Sequence, residues 1–255
     1  MTALFISDLH LDGTRPETTR LLLDFLQRDA SQASALYILG DFFEVWIGDD
    51  DDDAHHAQVM AALRALTGAG VPVYLMHGNR DFLIGKRFAD RTGVKLLSDP
   101  TLIDLGGIPT LLMHGDTLCT DDRQYQKARR FLRNPLVQGV YLALPLSLRR
   151  RIADYARAKS KADTAAKASY IMDVNQGAVE ETMRAHGVTR LIHGHTHRPA
   201  VHRFKDSSGN DMERIVLGDW HDQSSILKWS GNGGKLSDTR VSDGAVGQAT
   251  VGTPL

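Results

Sequence analysis

Apolar runs along this chain are short and stop abruptly, and the residues at which they stop are of one chemical kind. Leu4-Phe5-Ile6-Ser7 runs into Asp8-Leu9-His10, Tyr37-Ile38-Leu39-Gly40 into Asp41, and Tyr74-Leu75-Met76 into His77-Gly78-Asn79-Arg80-Asp81. Leu111-Leu112-Met113 runs into His114-Gly115-Asp116, and Leu191-Ile192 into His193-Gly194-His195-Thr196-His197. Such runs read as strands buried on both faces, and ligands of open α/β folds collect at the ends of those strands.

Between them the pattern turns helical. Pro16-Glu17-Thr18-Thr19-Arg20 opens a helix with an apolar stripe of Leu21, Leu22, Phe25 and Leu26. Further helices are predicted over Ala54 to Leu66, near Gly85 to Thr92, and over Asn175 to His186 with Gly187 as the stop. Leu102 to Leu105 and Thr110 to Met113, joined through Gly106-Gly107, predict a hairpin. Val201 to Phe204, Arg214 to Leu217 and Ser225 to Trp229 predict short strands of a second sheet.

From Asp121 to about Ser169 the chain is helical, with breaks at Asn134-Pro135 and Pro145, and this stretch lies between the His114 and His195 loops as an inserted cap would. The expected organisation is an α/β (α+β) sandwich core over residues 1–120 and 170–230 with a helical cap over 121–169. Residues 231–255, rich in Gly, Ser, Thr and Val without periodicity, are expected to be a disordered tail.

Charge sharpens this division. The net charge is only −1, which argues against a general nucleic-acid coat protein, yet Arg123 to Lys167 holds twelve Lys and Arg against two acids, and the remainder carries −11. The basic segment calls for an anionic partner. Leu136, Val140, Leu142, Leu144 and Leu148, followed by Arg149-Arg150-Arg151, fit either an acyl-chain chamber resting on anionic lipid or packing between helices. A nuclease would want its basic residues along a groove, so the pattern favours a lipid phosphate over nucleic acid.

The first residues lack a basic start and reach Asp8 too soon for a signal peptide, so a cytosolic location is expected. The longest apolar-leaning run, Leu136 to Leu148, is shorter than the ~20 residues a bilayer needs. The single cysteine, Cys119, excludes an internal disulfide framework and reads as a buried small hydrophobe.

Taken singly, an Asp or His at a strand end usually caps a turn. Five such ends presenting hard oxygens and imidazoles at one edge indicate a metal site. Asp8, His10, Asp41, Asn79, His114, His195 and His197 are too many donors for one ion and suit two ions, ~3.5–4 Å apart, sharing a carboxylate. The aspartate run Asp49 to Asp53 is read as a solvated loop or helix N-terminus and kept out of the site.

Together, Asp8-Leu9-His10, Gly40-Asp41, Gly78-Asn79, His114 and Gly194-His195-Thr196-His197 resemble the calcineurin-like metallophosphoesterase superfamily. Longer stretches, among them Trp46-Ile47-Gly48-Asp49-Asp50, His77 to Leu83, Met113 to Asp122, Ile171 to Asn175 and His193 to Pro199, are similar to the UDP-2,3-diacylglucosamine pyrophosphatase family of lipid A biosynthesis. The resemblance implies two packed mixed sheets flanked by helices, a helical cap over the metals, and two Mn2+ ions. One ion would be held by Asp8, His10, Asp41 and His197, the other by Asp41, Asn79, His114 and His195, with Asp41 bridging. The same donors also suit iron or zinc.

The implied reaction is in-line attack by a metal-activated hydroxide on the α-phosphorus of UDP-2,3-diacylglucosamine, giving UMP and 2,3-diacylglucosamine 1-phosphate. Catalytic roles fall to Asp41, Arg80 and His195, and substrate contacts to Asn79, Arg80, Asp122, Ser160, Thr164, Lys167 and His195. The superfamily places a histidine, which assists the leaving group, where this chain has Arg80. A sugar phosphate, with a second pKa of about 6, leaves without that acid, which frees Arg80 to clamp phosphate. At Thr164 the resemblance would have asparagine. Peripheral attachment to the cytoplasmic side of the inner membrane is implied as well. The alternative is another metal-dependent nucleotide-diphosphate pyrophosphatase or phosphodiesterase of the superfamily.

Overall fold

Alternating side chains along a strand serve two cores, and the N-terminal strand shows how. In β1 (Thr2–Ile6), Leu4 and Ile6 point to one side and Phe5 to the other, and all three are buried. The computed structural model describes residues 2–165, 173–221, 223–231, 233–240 and 246–251. After β1 come α1 (Pro16–Arg28), β2 (Ala35–Leu39), α2 (Ala54–Gly68), β3 (Val73–Met76), α3 (Lys86–Thr92), β4 (Lys95–Leu97), β5 (Thr101–Asp104) and β6 (Pro109–Met113). Three consecutive helices follow, α4 (Arg123–Leu132), α5 (Pro135–Leu142) and α6 (Leu146–Ala165), and then α7 (Gln176–Ala185). The chain closes with β7 (Arg190–His193), β8 (Ala200–Lys205), β9 (Asp211–Val216), β10 (Gln223–Ser230), β11 (Gly233–Arg240) and β12 (Val246–Val251).

The first sheet has the order β12-β11-β10-β1-β2-β3-β4, parallel from β1 to β4 and antiparallel from β1 through β12. The second has the order β5-β6-β7-β9-β8, with β6, β7 and β9 parallel and antiparallel strands at both edges. Phe5, Leu39 and Met76 meet Leu112, Ile192 and Ile215 between the sheets. On the outer face of the first sheet, Leu4, Ile6, Leu36 and Ile38 pack with Leu22 and Phe25 of α1, Leu63 of α2 and Phe88 of α3. Outside the second sheet, Leu111, Met113 and Leu191 pack with Val179 and Met183 of α7. Two mixed sheets flanked by helices are thus stacked face to face, with the C-terminal ends of β1, β2, β3, β6 and β7 carrying the donor loops.

Two expectations need correction. Ser225 to Trp229 does form a strand, but β10 joins the first sheet beside β1, because Leu227 and Trp229 enter the core between the sheets from that side. Residues 233–240 and 246–251 are strands and not a structureless tail. Pairing of β10 with β11 runs from Gln223 opposite Arg240 to Ser230 opposite Gly233, a backbone ladder with Leu236 as its apolar anchor, too faint an alternation to read.

The aspartate run is a helix N-terminus at Asp53, one of the two readings expected of it, and over Asp49 to Asp52 it is also a junction. Asp49 accepts hydrogen bonds from Trp46 Nε1 (3.1 Å), Gly85 N (2.9 Å) and Phe88 N (3.0 Å), closing the start of α3. Asp53 caps α2, accepting from His55 N at 2.8 Å. Asp50 receives both arms of the Arg149 guanidinium, and Asp51 and Asp52 pair with Arg150. Arg149, in the first turn of α6, is only 2% exposed and also donates to Ile47 O at 2.7 Å. The Arg149-Arg150 pair therefore fastens α6 to the core. Helices α4 and α5 bury no side chain, and Leu136 and Val140 are 80% and 70% exposed, so packing between helices does not account for that apolar stretch.

Candidate metal centre

Each of the seven donors lies within four residues of a strand's C-terminal end. Asp8 and His10 follow β1, Asp41 follows β2, Asn79 follows β3, His114 follows β6, and His195 and His197 follow β7. The loops are tied by backbone bonds from Asp8 N to Gly40 O (3.1 Å) and from His10 N to Asp41 O (2.9 Å). Asp8, His10, Asp41, His195 and His197 have φ of 54°, 48°, 49°, 69° and 55°, and they are the positive-φ residues other than glycine among the described residues. Such backbone is strained for L-residues at about 1–3 kcal/mol each, and it turns the side chains inward. A Cβ at Gly78 would stand 2.1 Å from Asp41 N and Oδ1, and one at Gly194 2.3 Å from Asp8 Oδ2, so close packing of these loops requires glycine at both positions.

The donors gather in two trios, Asp8 with His10 and His197, and Asp41 with His114 and His195, the ligating atoms of each lying within 4.8 Å of one another. Asp41 connects them: Oδ2 is 3.8 Å from His10 Nε2 and Oδ1 is 3.8 Å from His114 Nε2. Asn79 joins the second trio through Oδ1, 3.1 Å from His114 Nε2. His114 Nδ1 donates to Leu39 O at 2.9 Å, so in the neutral ring Nε2 presents a lone pair to the Asn79 oxygen. Nε2 of His10 and of His197 likewise stand 3.3 Å apart, with their Nδ1 atoms toward Glu44 (3.0 Å) and Asp219 (3.7 Å). Acceptors face to face need a proton or a cation between them.

Electrostatics point the same way. Burial, with Asp8 and Asp81 adding like charge, raises the Asp41 carboxyl above its ordinary range against the pull of His114 and His10. Burial opposes protonation of His114 too, but Asp41, Asp116 and Asp8 together push it up to about 9. Burial next to His114 takes His195 down to about 3, a neutral ligand-ready imidazole. Asp8 Oδ1 and His195 Nδ1 are buried without a hydrogen-bond partner. Carboxylate, amide oxygen and imidazole with orphaned donor atoms fit divalent cations. Asp53, His55 and His56 form a third group, at which Asp53 Oδ1 caps α2.

Arg80 lies at the rim of the second trio, its backbone N–H on Asp41 Oδ1 (2.8 Å) and its Nε buried without a partner. Asp122 caps α4 by accepting from Tyr125 N at 3.0 Å. Ser160 is half-buried on α6, three residues beyond Arg157, which pairs with Asp12 at 3.3 Å. The side chain of Thr164 and all of Lys167 lie outside the described residues. Sequence reasoning passed over Asp81, whose buried carboxylate accepts from Gly78 N (2.7 Å) and Phe42 N (2.7 Å) and so braces the Asn79 loop against the Asp41 loop. It passed over Asp116, whose Oδ2 takes Tyr125 Oη and Arg129 Nε, both at 2.6 Å, and so ties α4 to the His114 loop. It also passed over Glu44 and Asp219.

The chain matches the calcineurin-like phosphoesterase family over residues 1–199. It is 52% identical to the UDP-2,3-diacylglucosamine hydrolase of Serratia proteamaculans, covering 92% of this chain and 98% of that one. To the enzyme of the same name from Pseudomonas aeruginosa it is 54% identical, over 91% and 97%. Among solved structures it is similar to zinc-bound Vps29 from Entamoeba histolytica, with a TM-score of 0.49 and 16% identity over 98% of both chains.

Proposed function

The chain belongs to the calcineurin-like phosphoesterase family, and on that footing we propose that it hydrolyses the pyrophosphate bond of UDP-2,3-diacylglucosamine at the α-phosphorus, as a metal-dependent enzyme of lipid A biosynthesis. The products are UMP and 2,3-diacylglucosamine 1-phosphate. One observation carries the reading: two donor trios meet at the Asp41 carboxylate, beside Arg80, in a chain more than half identical to hydrolases named for that substrate.

The proposed cofactor is two Mn2+ ions, one on Asp8, His10, Asp41 and His197, the other on Asp41, Asn79, His114 and His195. Divalent ions so held supply Lewis acidity to a phosphoryl group and acidify water. The chain's own contribution is placement. Leu39 O fixes the tautomer that leaves His114 Nε2 free as a donor. Arg80 offers a planar guanidinium, its Nε unpartnered, to the phosphate oxygens on which charge develops. No proton donor stands at position 80, which suits a sugar phosphate that leaves as a stable anion.

Helices α4 to α6 are the proposed lipid side of the molecule. Phe131, Leu136, Val140 and Tyr155 are exposed there, flanked by the basic Lys127, Arg130 and Arg151. Such a surface suits peripheral attachment to the anionic cytoplasmic face of the inner membrane. Among the described residues no helix is long and apolar enough to cross a membrane.

The test is release of UMP from UDP-2,3-diacylglucosamine and from UDP-N-acetylglucosamine, with Mn2+ or with chelator, by the wild type, Asp41→Ala and Arg80→Ala. Metal-dependent cleavage of the acylated substrate alone, lost in Asp41→Ala and strongly reduced in Arg80→Ala, is the expected result. Equal cleavage of both nucleotide sugars would overturn the lipid assignment.

A further inference from the structure

Glu44 lies three residues beyond Asp41, and its backbone N–H donates to Leu11 O at 3.1 Å, joining the loop after β2 to the loop after β1. Its side chain is 19% exposed and reaches two members of the site by different oxygens. Oε2 is 3.0 Å from His10 Nδ1, an ion-pair contact not aligned as a hydrogen bond, and Oε1 is 3.8 Å from Arg80 Nη1. We infer that Glu44 is a positioning residue that orients His10 as a metal donor with one oxygen and holds the Arg80 guanidinium ready for phosphate with the other.

The first half follows from imidazole chemistry. A histidine can offer either nitrogen to an ion, and an acceptor on one fixes the proton there and the lone pair on the other. Glu44 at Nδ1 leaves Nε2 as the free lone pair, and Nε2 is the atom that faces Asp41 Oδ2 and His197 Nε2. The second half follows from distance. An ion pair at 3.8 Å at a partly open rim is weak, so Arg80 is confined near the site and released when a phosphate offers two closer oxygens.

The inference rests on the two-metal reading above, and its test reads metal binding before it reads activity. Full-length wild type, Glu44→Ala and Glu44→Gln are stripped with chelator, and Mn2+ is titrated in by electron paramagnetic resonance. We expect two ions in the wild type, a loss of affinity of about tenfold or more for one of them in Glu44→Ala, and no change in the other or in apo-protein melting. Glu44→Gln, which keeps an oxygen within reach of His10 Nδ1, restores most of that affinity. In a double-mutant cycle of Glu44→Gln with Arg80→Ala, the effects on KM for UDP-2,3-diacylglucosamine should be coupled by about two- to fivefold. Unchanged Mn2+ affinity in Glu44→Ala, or strictly additive KM effects, overturns the corresponding half. A wild type that binds no Mn2+ overturns the functional reading and this inference with it.

Discussion

Arg80 donates its backbone N–H to Oδ1 of Asp41 over 2.8 Å. The residue whose side chain is proposed to hold phosphate therefore holds, with its main chain, the carboxylate on which both donor trios converge. Arg80→Ala keeps that bond. It should bind Mn2+ within about twofold of the wild type while kcat/KM falls by roughly a hundredfold or more, as when one donor to a developing oxyanion is removed. Asp41→Ala should lose metal and activity together. Mn2+ titration of both variants decides whether clamp and carboxylate divide the work in this way.

Asp81→Ala should damage folding and site at once. The substitution leaves the N–H groups of Gly78 and Phe42 buried without an acceptor. The expected cost is about 2–4 kcal/mol. In a chain of this size that lowers the melting temperature by roughly 5–15 °C. Calorimetry of the apo protein isolates this loss from any change in metal affinity, and a melting temperature within a degree of the wild type would count against the bracing role.

The Arg149–Asp50 pair predicts an acid limb in stability. Hydrogen bonding to Arg149 holds the Asp50 carboxyl below its ordinary 3.8. A carboxyl depressed in the folded state stabilises above its unfolded value, and the contribution fades as pH falls through the folded one. The denaturation midpoint of Asp50→Asn should thus trail the wild type near neutrality, and the gap should narrow below about pH 4. A gap independent of pH would assign the effect to packing.

Cys119 should resist thiol reagents in the native protein and react once the protein is unfolded. Burial pushes its thiol up to about 12, and the negative charges of Asp116 and Asp173 add to the shift. The thiolate on which such chemistry depends is then scarce at neutral pH. Reaction with a colorimetric disulfide, with and without denaturant, reads this directly.

Much of the centre was legible because its donors sit where apolar runs end, so one glance at strand ends collects Asp8, Asp41, Asn79, His114 and His195. The helix start at Asn175 was nearly as plain, whereas Asn134-Pro135, which reads as a break, is where α5 begins. What the residues could not reveal is carried by long-range pairing. Asp49 reads as solvent-facing until Gly85 and Phe88 arrive from the far side of β3 to donate to it. Glu44 follows two phenylalanines with no periodicity to mark it, and its meaning depends on His10 and Arg80 from other loops. β11 shows little alternation because its register is set by the backbone of β10.

The five donors in left-handed backbone leave a trace in how such a chain can change over time. At each of these positions glycine or asparagine would relax the fold, so every one of the five is held against a standing local gain in stability. A lineage that ceased to need the ions would be expected to lose these residues first, well before the apolar core.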